Sequence, residues 1–130
     1  MGDKYEVDID GSVKFDGYNN PQGSIEVAIS GDEDNWNPTG LATCSRIVVD
    51  CTGNNDITGI TAPTSPINQT IMIVNVGSGN LKLTDNDGSS TNANKIINND
   101  NKDIQLKNGG GVTLTYVHSE ARWFSLMDKK

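Results

Sequence analysis

The sequence predicts an all-β protein: an antiparallel β-sandwich, jelly-roll-like, with an N-terminal β-hairpin extension. Three observations lead there. Apolar and polar residues alternate along many short runs, as in Tyr5-Glu6-Val7-Asp8-Ile9 and Asp103-Ile104-Gln105-Leu106-Lys107, and side chains that change sides at every residue belong to strands. No window of useful length places apolar residues at the i, i+3, i+4, i+7 spacing of a helix. Fourteen glycines and frequent Asn and Asp supply turns, because glycine accepts positive φ and Asn and Asp side chains bond their own backbone. About ten short strands at close spacing indicate a sandwich or jelly roll.

The elements follow in order. Tyr5–Ile9 and Ser12–Phe15 flank Asp10-Gly11, a two-residue hairpin signal. Ser24–Ser30 alternates and reads as a strand. Gly31–Gly40 is polar and turn-rich and sets the boundary between an N-terminal docking segment, residues 1–36, and a sandwich domain, residues 37–130. Ile47-Val48-Val49 lies in a strand beginning near Ala42, and Asp56–Ile60 is a shorter one. Pro63 and Pro66 keep the next segment out of any central strand. Thr70–Val76 is nearly continuous apolar and β-branched, which makes it the best buried strand. Gly77-Ser78-Gly79 turns it so that Leu81-Lys82-Leu83 pairs back. Lys95–Ile97 is a short strand. Asn108–Gly111 forms a hairpin turn between 103–107 and Val112–Val117, and His118–Ala121 turns the chain into Arg122–Met127.

One hundred and thirty residues make one core and not two. With aromatics at 5%, that core is aliphatic. The formal net charge of −7 repels phosphate, which argues against nucleic acid and anionic membranes as partners. Met1-Gly2-Asp3-Lys4 leads into alternating residues with no apolar stretch of the secretory kind. Cys44 and Cys51, the two cysteines, would be roughly 23 Å apart in one extended strand, so they are expected as free thiols packed as small apolar groups.

The sequence assembles no catalytic set. His118, the single histidine, adjoins Ser119 and Glu120 on one turn, whereas a triad needs partners brought from separate segments. The carboxylates Asp32, Glu33, Asp34, Asp85 and Asp87 fall in polar loops, and few aromatics accompany them as sugar subsites. Asp85-Asn86-Asp87-Gly88 starts like a calcium loop, but Ser89 and Ile96 stand where its fifth and twelfth ligands belong. Gly109–Gly111 has no following Lys-Ser/Thr or helix to make a phosphate cradle. No catalytic, cofactor or metal residue is therefore assigned. Trp36 stands in an acidic stretch outside any strand, as an anchor for a partner surface or as packing on the edge of its own domain.

Five pieces occur in a fixed order: Asn37-Pro38-Thr39-Gly40-Leu41; Ile57-Thr58-Gly59-Ile60; Ile73 through Leu83, with Asn75, Gly77 and Gly79; Ser89 through Ile96; and Val112–Tyr116 with Arg122-Trp123. The series resembles a β-sandwich domain of tailed-bacteriophage virion structural proteins, found in tail fibres, collar proteins and head decorations. Lys95 stands where the pattern more often has Arg, and His118 where it often has Asp. The resemblance implies a virion protein, assembled in the host cytoplasm and usually trimeric. It suggests a capsid decoration or cement protein, or a short head fibre, bound to the major capsid protein or other virion proteins. No enzyme activity and no cofactor are expected. The contact residues would be Tyr5, Val7, Ile9, Val13 and Phe15 of the hairpin, with Trp36. The alternative is a tail-associated module recognising glycan through Tyr18, Trp36 and Tyr116. Arg122-Trp123 is expected to cap the core, the guanidinium stem covering the indole.

Overall fold

The computed structural model describes residues 23–126; the hairpin expected over Tyr5–Phe15 lies outside them. The described residues form β1 (Gly23–Ile29), β2 (Cys44–Cys51), β3 (Asn54–Ile57), β4 (Thr70–Asn75), β5 (Asn80–Leu83), β6 (Ile96–Ile97), β7 (Ile104–Leu106), β8 (Gly111–Val117) and β9 (Arg122–Leu126), with three single 3₁₀ turns and no α-helix among them. No helix among the described residues is long and apolar enough to cross a membrane.

The strand positions follow the alternation, but the topology does not follow the expectation. The fold is a β-solenoid, not an antiparallel jelly-roll sandwich. One sheet has the order β1-β2-β4-β8-β9-β6 and the other β3-β5-β7. β1 on β2, β2 on β4 and β3 on β5 are all parallel. The chain runs along one sheet, crosses to the other, and returns one strand higher. The first coil adds no full strand to the second sheet: it meets that wall through the parallel bridges Glu33–Ile57 and Trp36–Ile60 and through Asp32 Oδ1, which accepts from Asp56 N at 2.8 Å. Leu83 and its neighbours therefore do not pair back on β4, as Gly77–Gly79 had suggested; β5 lies in the other sheet. Likewise Asn108–Gly111 is a corner between sheets and not a hairpin, because β7 pairs with β5 and β8 with β4.

Parallel stacking aligns like with like. Ile25, Ile47 and Ile73 sit in one register row, and Ile57, Leu83 and Ile104 in another. These side chains meet between the sheets with Trp36, Ile60, Leu114 and Trp123 in one core. Each fully buried aliphatic contributes about 1.5–3 kcal/mol. The stack ends by reversal: β7 and β8 lie antiparallel on the last coil, and β9 forms a true hairpin with β8.

The corners are fixed by particular residues. Gly40, at φ 90°, leads into the 3₁₀ turn Leu41–Thr43, a left-handed conformation that favours glycine. Asn35, also left-handed at φ 50°, accepts hydrogen bonds at Oδ1 from Thr91 N (2.8 Å), Thr91 Oγ1 (3.1 Å) and Asn94 Nδ2 (2.9 Å). Its own N–H donates to Ser90 Oγ at 2.9 Å. Thr58 Oγ1 donates to Asp34 Oδ1 at 2.6 Å, so Ser90 Oγ supplies the proton for their 2.7 Å contact. This network stitches the first two coils to the 89–94 loop. Trp123 is fully buried, donates Nε1–H to Ile60 O at 2.9 Å, and meets Tyr116 edge to face. Arg122 does not cover the indole, because alternation along β9 puts it on the opposite face; its guanidinium donates to Ala121 O.

Candidate interaction surface

The two sheets turn unlike faces outward. On the three-stranded sheet the outward positions are polar. Asn80 Nδ2 donates to Asn54 Oδ1 at 2.8 Å, one coil above the other. Lys82 Nζ lies 3.0 Å from Asp56 and 3.6 Å from Asp103. The hydrogen bond to Asp56 holds the Lys82 ammonium above its usual range.

The outward face of the six-stranded sheet is apolar at its middle. Along β2, β4, β8 and β9 the outward positions include Val48, Met72, Val74, Thr113, Phe124 and Leu126. Met72 is 48% exposed, Leu126 53%, and Val76, just past β4, 50%. Met72, Val74, Gly111, Thr113 and Leu126 share a shallow groove. Among the described residues Thr70–Val76, expected as the best buried strand, is covered on one face only: Ile71, Ile73 and Asn75 are buried, whereas Met72 and Val76 are exposed. The run is continuous because both of its faces are apolar, not because both are covered.

Charge is also distributed unevenly. The outward positions of this sheet carry Glu26 and Asp50 against Arg46 and Arg122, so they balance in a chain of net charge −7. These are both of the chain's arginines. Of the described lysines, Lys82 lies on the other sheet and Lys95 directly precedes β6, at this sheet's edge.

The chain matches no family model, no curated protein and no solved structure.

Of the contact residues expected from sequence, Tyr5, Val7, Ile9, Val13 and Phe15 lie outside the described residues. Trp36 is in the core at 4% exposure, its N–H bonded to Gly59 O and its carbonyl to Thr61 N. Tyr116 is 5% exposed, and its hydroxyl donates to Ala93 O at 2.9 Å. Neither ring offers a face for stacking on a sugar, and Tyr18 is outside the described residues. His118 is half-buried, its Nε2 2.6 Å from Ile67 O and its ring edge-on to Tyr116. In the loop that begins like a calcium site, Asp85 Oδ1 accepts from Asn98 N (2.7 Å) and Asp87 Oδ1 from Ser89 N (2.8 Å). The Ser89 bond holds the Asp87 carboxyl below its usual range. Among the described residues no group of three or more His, Cys, Asp or Glu is placed to hold a metal. The outward apolar face was missed from sequence, although its signal was present: in Thr70–Val76 and Ile47-Val48-Val49 apolar residues occupy both alternation phases.

Proposed function

We propose that this chain is a non-enzymatic structural protein of a bacteriophage virion, a capsid decoration or cement protein or short head fibre that binds the assembled shell as a trimer. The observation that carries the assembly part is β4, apolar on two faces and covered on one. An exposed apolar strand face of this kind marks a surface that a partner covers. The virion assignment rests on the ordered motif series. Its residues build the framework: Gly40 at a lead-in turn, Asn75 inside a corner, Ser90 and Asn94 in the network around Asn35, Trp123 in the core.

The test is direct. Purified full-length chain should sediment as a trimer and co-sediment with empty shells. Deletion of residues 1–20 should abolish shell binding while the far-ultraviolet circular dichroism of the rest is kept. Absence of shell binding by the full-length chain would overturn the virion reading.

A further inference from the structure

We propose that the outward face of the six-stranded sheet is the contact between copies of this chain, the β1–β2 half of one copy lying over the β8–β9 half of the next. This rests on the assembly reading above and names its surface and its occupant.

Three observations select a second copy. The first is charge. The β1–β2 half presents Glu26, Arg46 and Asp50, net −1, and the β8–β9 half presents Arg122, net +1. Placing unlike halves together pairs opposite signs, and this is the face on which copies of net charge −7 can approach without piling up like charge. The second is composition. Met72, Phe124 and both of the chain's arginines gather there, which is the bias of protein–protein contacts. The third is size. Six strands at ~4.8 Å spacing, with central strands ~23 Å long, give a face of roughly 24 by 23 Å; overlap of one half on another covers about half of that, the small footprint of a weak, concentration-dependent contact.

A charge exchange tests both the face and the pairing of halves. Glu26 and Arg122 lie on β1 and β9, four strand spacings apart within one copy, or ~19 Å, beyond the ~8 Å screening length at physiological salt. Any coupling between them therefore reports contact between copies. Sedimentation equilibrium of the full-length chain should show that Met72→Glu and Arg122→Glu each raise the dissociation constant at least about tenfold, with circular dichroism unchanged. The double variant Glu26→Arg/Arg122→Glu should return it to within about threefold of the parent. A monomeric parent chain, or association indifferent to both single variants, overturns the proposal. Failure of the double variant to recover overturns the pairing of halves. Shell co-sedimentation separates this from the functional reading. If face variants dissociate the oligomer but the parent does not bind shells, the contact stands and the virion role falls. A parent oligomer that binds shells and ignores the face variants gives the reverse. A dimer with full charge-exchange recovery keeps the contact and removes the threefold.

Discussion

Asn75 shows how a single side chain holds a corner. It is fully buried where β4 ends. Its Nδ2 donates to Gly79 O (2.8 Å) and Leu106 O (2.9 Å), and its Oδ1 accepts from Gly77 N (3.0 Å). Truncation leaves these backbone groups without partners, so Asn75→Ala should cost about 3 kcal/mol, read as a lower denaturant midpoint. Burial also sets the behaviour of two titrating groups. It pushes the Cys44 thiol up, and Cys44 and Cys51 are both free and buried. Ellman's reagent should therefore find no reactive thiol in the native protein and two after denaturation. Tyr116 is raised above the ordinary phenol value near 10 by desolvation, with Arg122 opposing weakly. The unfolded phenol ionises first. Stability from this group is thus complete below pH ~10 and is lost as pH rises through the folded value. Tyr116→Phe should flatten that alkaline loss in a series of melts between neutral pH and pH ~11, while giving up the bond to Ala93 O.

At the scale of elements, successive coils touch backbone to backbone at Gly79. A Cβ there would strike the Gly53 carbonyl of the coil below, and neither backbone can withdraw without breaking the Gly79 N–H bond to Cys51 O and the Asn80 N–H bond to Gly53 O. Gly79→Ala should accordingly destabilise by about 2 kcal/mol or more, measured by chemical unfolding, whereas Gly88→Ala, whose added Cβ meets nothing, should be near neutral. The strands themselves were legible. The alternation in Ser24–Ile29, Ile47–Val49 and Val112–Val117 marks which residues face inward, and a half-buried sheet demands that pattern in any topology. It does not say which strand lies alongside. Partners here stand a whole coil away: Ile25 faces Ile47, 22 residues on, and Ile47 faces Ile73, 26 residues on. The turn residues misled because Gly77–Gly79 and Asn108–Gly111 bend the chain between sheets as readily as within one. The recurrence of Ile25-Glu26-Val27, Ile47-Val48-Val49 and Ile73-Val74-Asn75 at nearly even intervals is the trace of the coil in the sequence. Trp36 had two readings that composition could not separate, because its depth depends on the bridge to Ile60.

For the whole molecule, pairings over 22–26 residues must close before neighbouring rows support one another. Loop closure precedes its reward in such a topology. Refolding from denaturant should therefore take milliseconds to seconds rather than microseconds, followed by stopped-flow fluorescence of Trp36 and Trp123. Stability and association are separable on this plan. The inward stacks of isoleucine and leucine hold the coil, while Met72, Phe124 and Leu126 face away from it. Changes on the outward face should alter subunit number with little movement of the melting midpoint at concentrations where the parent is already dissociated.

The parallel stacking of β2 on β4 and of β3 on β5 also makes height a countable quantity. From Cys44 to Gln69 the chain completes one circuit and arrives at Thr70, ready to run along the same wall again. Duplicating that stretch would lift the β7–β8 lid by one ~4.8 Å storey while the floor and the roof keep their own sequences. A protein so constructed can grow taller in whole steps, the way a stairwell gains a landing.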